Sequence, residues 1–166
     1  MLSASNSLSD VDGLGVVTYN WLTLTGTQSV ILGTGDRYLL TQADVGKRIF
    51  LSASYRDNYG TQESISSVAT SAIANINDPP SGLVKQIGHA VQNKVLTAIN
   101  TLGDIDGLGT LTYQWLANNT AISGANSPYL LLTQKEVSKT ISVSASYNDG
   151  YGSQESVTSS ASVAVA

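Results

Sequence analysis

Apolar and polar residues alternate with a period of two through much of this chain. Ile141, Val143, Ala145 and Tyr147 interleave with Ser142, Ser144, Ser146 and Asn148, and Ile49, Leu51, Ala53 and Tyr55 hold the same spacing. Leu111, Tyr113 and Trp115 interleave with Thr112 and Gln114, while Val157, Ala161, Val163 and Val165 share one parity near the end of the chain. Such alternation marks strands with one buried and one wet face. No stretch sustains a 3.6-residue period, so helices are not expected. Short strands separated by Gly, Asn and Asp turns predict an all-β fold built as an antiparallel sandwich.

The pattern occurs twice. Residues 2–22, LSASNSLSDVDGLGVVTYNWL, return as LTAINTLGDIDGLGTLTYQWL at 96–116, an offset of 94. Residues 40–67 return at 132–159 with an offset of 92, which places a net two-residue deletion between Trp115 and Leu132, where a loop can absorb it. Two modules follow, 1–76 and 77–166, joined by a linker at about 75–82. The second module is expected to carry strands near 82–89, 94–101, 110–116, 120–123, 129–133, 139–148 and 153–166. The first starts at the second of these, so its first strand would precede Met1. That leaves an exposed edge open to pairing or exchange.

The order of a Trp strand, then LTQADVG, then an alternating strand resembles strand C, the E–F corner and strand F of immunoglobulin domains. More closely, the D-x-DGLG, Y-x-W, LTQADVGK, SY-x-D, ES and NxNDxP series resembles the immunoglobulin-like and cadherin-like tandem repeats of large RTX-type (repeats-in-toxin) bacterial adhesins. The match covers nearly all of both copies, although the glycine-rich nonapeptides of such proteins are absent. The resemblance implies two tandem immunoglobulin-like (cadherin-like) antiparallel β-sandwiches, the first without its strand A. It also implies a structural spacer of a secreted or cell-surface protein, with neighbouring repeats of the same chain as its partners and any glycan or host surface met by distal domains.

On that fold the acidic turns gather at one end of a module. Asp104 and Asp106 lie in the B–C loop and Asp149 in the F–G loop, and the entering linker brings Asn77 and Asp78 toward them. Clustered carboxylates repel unless a cation neutralises them, and hard oxygen donors favour Ca²⁺. Cadherin-like repeats place calcium at such junctions, so Ca²⁺ bound by these five residues is one reading. The other is turn chemistry, in which Asp-x-Asp-Gly-x-Gly caps its own backbone. Asp10, Asp12 and Asp57 are the equivalents in the first module, where the preceding linker is missing and a site would be weaker. An EF-hand is excluded, because Trp115 stands at the twelfth position from Asp104.

The remaining candidates read as structural. Glu63 and Glu155 are expected to be solvated edge residues, and Asp44 and Gly46 to serve a local turn, since Glu136 and Ser138 replace them in the second copy. Trp21 and Trp115 share parity with Tyr19 and Tyr113 and should face inward. Tyr59 and Tyr151 should face solvent, where they are the residues a ligand-binding module would use for a glycan or host protein. An accessory module of a secreted hydrolase is a third option. His89 stands alone, without the second His or Cys of a transition-metal site.

Composition narrows the function classes. Cysteine is absent, so burial or a bound metal must supply any added stability. Twelve acidic and eight basic residues give a net charge of −4, which argues against a nucleic-acid partner. No apolar run reaches the roughly 18 residues of a membrane span, and Met1 is followed by a polar stretch, so an exported protein would carry its targeting signal elsewhere. With one His, no G-x-S-x-G, no G-x-G-x-x-G and no P-loop, the chain is not expected to be an enzyme.

Overall fold

The computed structural model describes all 166 residues, and the chain divides into two compact units, Met1–Asn75 and Ile76–Ala166. Both are all-β with antiparallel sheets. The one helical element is the short 3-10 turn Gln42–Asp44.

In the first unit β1 (Leu2–Ser3) pairs with β4 (Arg37–Tyr38), and a four-stranded sheet runs β3-β2-β5-β6. Its strands are β2 (Thr18–Thr25), β3 (Gln28–Thr34), β5 (Ile49–Arg56) and β6 (Gln62–Ser66). In the second unit β7 (Val84–Ile87), β8 (Val95–Asn100) and β11 (Tyr129–Leu131) form one sheet in the order β11-β8-β7. The other is β10-β9-β12-β13, from β9 (Thr112–Ala117), β10 (Thr120–Ala121), β12 (Ile141–Asn148) and β13 (Gln154–Thr158).

Alternation decides which faces meet. On β12, Ile141, Val143 and Ala145 are fully buried and Tyr147 nearly so, against Trp115 at 0% exposure and Leu96 and Val84 from the opposite sheet. The first unit is thinner inside. Of the sixteen buried apolar side chains only Trp21, Ile49 and Ala53 belong to it, because no counterpart of β7 covers its sheet. Each Trp is fixed in the same way. The Trp21 indole donates to Gly35 O and the Trp115 indole to Ser127 O, at 3.0 and 2.8 Å.

The two-residue difference falls in the connection after β2 and β9. In the first unit β2 and β3 form a long hairpin with a bulge beside Trp21 and Leu22. In the second, Asn118 and Asn119, both at positive φ, turn the chain from β9 into the two-residue β10. Paired left-handed residues are the mark of a tight hairpin turn, and Asn tolerates that conformation.

The last strand departs from its pattern. Pairing ends at Thr158, Val163 is 77% exposed, and Val165 is buried by a parallel bridge to Val137. Serine side chains are the reason. Ser159 and Ser162 each take the amide of a β12 residue on Oγ, from Val143 and Ile141, while their own amides donate to those residues' carbonyls. A side-chain acceptor where a strand would offer its carbonyl bends the chain off the sheet. Ser67 and Thr70 repeat the device on Leu51 and Ile49.

Candidate functional site

The acidic turns of the second unit form one hydrogen-bonded end. Asp104 opens the loop between β8 and β9, where its Oδ1 accepts from the Asp106 amide at 2.8 Å and its backbone carbonyl from the Gly107 amide at 3.2 Å. Gly107 has φ +104, which side chains other than hydrogen rarely allow. Gly109 is required for a different reason. A Cβ there would lie 2.0 Å from Asn148 O, so the loop can approach the end of β12 only without one. The spacing Asp-x-Asp-Gly-x-Gly thus encodes an Asx turn, a left-handed residue and a close approach.

Asp149 occupies the turn between β12 and β13. Its Oδ1 accepts from the amides of Tyr151 and Ser153, both at 2.8 Å, and the Gly150 amide donates to Asp106 O at 3.0 Å, which ties the two loops together. The Tyr147 hydroxyl donates to Asp104 Oδ2 at 2.6 Å and adds a second tie. Asp149 is 7% exposed, and its Oδ2 is buried without a hydrogen-bond partner. Burial works against its ionisation, but the donors on Ser153, Tyr151 and Gly152 outweigh it and hold the carboxyl below its ordinary value. Tyr147 is pushed upward by burial and by its bond to Asp104.

The residues that lead into the unit are fastened to this end. The Asp78 amide donates to Asp106 Oδ2 at 2.7 Å, the Asn77 side-chain amide to Glu155 Oε1 at 2.7 Å, and Ser81 and Gly103 exchange backbone bonds at 2.8 and 3.1 Å. Asp106 is only 3% exposed as a result. The structure therefore brings Asp78, Asp104, Asp106 and Asp149 to one end of the unit, with Asn77 bound to Glu155 beside them. Glu155 is half-buried and engaged, which departs from the solvated edge expected of it. No three carboxylate or histidine side chains converge in a geometry that would hold a metal ion. Backbone amides donate to Oδ1 of Asp104, Oδ2 of Asp106 and Oδ1 of Asp149, and the Tyr147 hydroxyl to Oδ2 of Asp104.

The first unit repeats the network at lower burial. Asp10 Oδ1 accepts from the Asp12 amide and its Oδ2 from the Tyr55 hydroxyl, both at 2.8 Å, and the Asp57 carboxylate accepts from the amides of Tyr59 and Thr61. The bond to Asp10 moves the Tyr55 hydroxyl up to about 12. Asp12 is exposed, whereas Asp106 is buried and bound by the Asp78 amide. Tyr55 and Tyr147 were legible in the sequence only as inward positions. Their equivalent spacing two residues before Asp57 and Asp149 was the available sign of a polar role.

Compared with family models and with curated proteins, the chain matches none. Its other candidates are placed as follows. Tyr59 and Tyr151 are 83% and 53% exposed at the turn tips, and His89 is exposed. Asp44 is buried in a local cluster. Its carboxylate accepts from the Thr41 amide at 3.0 Å, the Thr41 and Tyr38 hydroxyls at 3.1 Å and Lys47 Nζ at 3.4 Å. Glu136 does the same with the amide and hydroxyl of Thr133. The reach differs by one methylene, so Asp in one copy and Glu in the other cap the same turn.

Proposed function

We propose that the chain is a spacer segment of a large secreted or cell-surface bacterial protein, with immunoglobulin-like repeats of the RTX-adhesin kind. One observation carries the reading. The segment between the units is hydrogen-bonded into the end of the second through Asn77, Asp78 and Ser81, instead of lying free as a flexible tether would. Pro79 and Pro80 stiffen the same stretch. A repeat that absorbs its own leading segment transmits orientation and load along an array, which is what a projecting stalk needs. The repeated sequence, the strand order and the paired acidic turns support the reading, whereas a fold alone would not assign a function.

Calcium belongs to the same proposal. Asp149 Oδ2 is a buried carboxylate oxygen with no protein partner, and Asp104 and Asp106 sit in the adjoining loop with Asp78 beside them. A hard cation is the group that such an oxygen suits, and it would draw the loops and the leading segment together. An extracellular site of this kind has a dissociation constant on the order of 10⁻⁴ to 10⁻³ M.

Two measurements test the proposal separately. Amide relaxation of residues 77–82 should match that of β12, and values typical of a free tether would refute the spacer reading. Calcium at ten times its dissociation constant should raise the melting midpoint of the second unit by about 5 to 10 °C. The rise should vanish in Asp104→Asn with Asp149→Asn. An unchanged midpoint in the native chain removes the cation and leaves the turns.

A further inference from the structure

The outer face of the four-stranded sheet in the first unit carries an apolar row that the fold does not require. Leu22 on β2 stands opposite Ile31 of β3 on one side and Phe50 of β5 on the other, so the three share one face. That face is turned away from the core, since the alternate positions Trp21, Thr23 and Ile49 are the buried ones. Leu24, two residues on from Leu22, joins the row. Ile31 and Leu24 are 58% and 59% exposed, and Leu22 and Phe50 are only half-buried.

The second unit holds the same positions in the same register and fills them differently. There Leu116 stands opposite Ala121 of β10 and Ser142 of β12. The counterpart of Leu24 is Asn118, whose Oδ1 accepts from the Thr140 amide and hydroxyl at 2.9 and 3.2 Å. Phe50, the single phenylalanine of the chain, is thus serine in the other copy, Ile31 is alanine and Leu24 is asparagine. The same sheet order forms with the smaller and more polar set, so folding does not account for the larger one. The edge beside the row differs as well. β3 runs for seven residues without Pro or charge, whereas β10 is two residues long, the usual way of blunting an edge.

We propose that this face is a self-association surface, on which the first unit of a second copy of the chain packs its own Phe50–Leu22–Ile31 row. Charge selects the occupant. No residue from Gly13 to Gly35 is charged, and Arg48 lies at the rim just before β5. The chain carries −4, so two copies repel one another in general and approach best through a neutral face. A strongly charged partner would find nothing here to pair with. A two-fold axis parallel to the strands and passing over Leu22 sets Phe50 of each copy against Ile31 of the other, a large side chain against a smaller one, with the sheets about 10 Å apart. Four apolar side chains from each copy make a contact at the low end of specific interfaces, with a dissociation constant on the order of 10⁻⁵ to 10⁻⁴ M. Such pairing would join two chains side by side through their first units, and it does not depend on the spacer reading.

The test is sedimentation equilibrium of the full chain from about 10 µM to about 1 mM, a range that brackets the expected constant. The mean mass should climb from 17.3 kDa toward twice that value. Phe50→Ser and Ile31→Ala, which install the residues of the second unit, should each weaken the dimer at least tenfold and leave the Trp21 indole resonance in place. Leu24→Asn, at the most exposed of the four positions, gives the same reading should a half-buried substitution disturb the fold. On dilution, amide shifts should be confined to residues 20–25, 28–32 and 48–52. A chain that stays monomeric throughout, a dimer indifferent to both Phe50→Ser and Leu24→Asn, or shifts confined to β6 or to the second unit would overturn the proposal. A monomer whose shifts at these residues appear only with phosphatidylcholine vesicles would give the face to a lipid surface and overturn it too.

Discussion

Replacing Asp44 by Asn keeps the size of the side chain and removes its charge at the most buried carboxylate of the chain, 1% exposed. Asn can still receive the Thr41 amide and hydroxyl on its oxygen. Its nitrogen would then face the Tyr38 hydroxyl and Lys47 Nζ, which now lie 3.1 and 3.4 Å from a carboxylate oxygen. One charge-assisted bond is lost and the others weaken, a cost of about 2 to 3 kcal/mol. For a unit of this size that lowers the melting midpoint by about 10 to 20 °C. The indole resonance of Trp21, stacked 6.1 Å from the Tyr38 ring, follows the first unit separately from Trp115. The pH dependence has a definite sign. Burial opposes ionisation of Asp44, but the Thr41 amide, the hydroxyls of Tyr38 and Thr41, and Lys47 overcome it and hold the carboxyl below its ordinary value. Its contribution is therefore complete above the unfolded value of about 3.9 and is lost as pH falls through the lower folded value. Native and Asn proteins should differ at pH 7 and converge in acid, where protonated Asp and Asn are alike. Other carboxylates titrate in both proteins and cancel in the comparison. Midpoints within 1 °C of each other at pH 7, or a gap that persists unchanged into acid, would refute the reasoning.

Two substitutions probe the second unit by urea denaturation. Gly109→Ala should destabilise it by about 3 kcal/mol or more, since its Cβ would lie 2.0 Å from the Asn148 carbonyl, while Gly103→Ala, 3.3 Å from the Ser81 hydroxyl, should cost under about 1 kcal/mol. Ser159→Ala leaves the buried Val143 amide without its acceptor and should cost about 1 to 3 kcal/mol, a loss that Ser159→Thr largely avoids.

The sheets were legible because burial in a sandwich has the same period as the chain. Ile141, Val143 and Ala145 had to share a face, and one contiguous core fixes which face that is. The end of β13 was not legible, because alternation there is carried by Ala and Val while the decision belongs to Ser159 and Ser162. A serine reads as a surface residue in a strand pattern, yet its hydroxyl can replace the strand's own carbonyl as acceptor. The turn role of Asp44 and Glu136 was legible, but their burial was not. Their spacing three residues after Thr41 and Thr133 is a capping pattern, but what it introduces, a 3-10 turn in the first unit and a plain turn in the second, is too short to show any periodicity.

For the acidic turns, sequence spacing located the residues but could not assign their oxygens. Asp-x-Asp-Gly-x-Gly satisfies the demands of the backbone before those of a ligand. The first Asp closes an Asx turn, Gly107 takes the left-handed conformation and Gly109 lets the loop touch β12. What remains after those demands is what distinguishes the two units. In the first, Asp12 and Asp57 keep contact with water. In the second, Asp106 is buried and bound by the Asp78 amide, and Asp149 is buried with one carboxylate oxygen both dry and unpaired. The donors on Ser153, Tyr151 and Gly152 still outweigh the burial of Asp149 and hold its carboxyl below the ordinary value, so the turn carries its own charge and leaves one oxygen over.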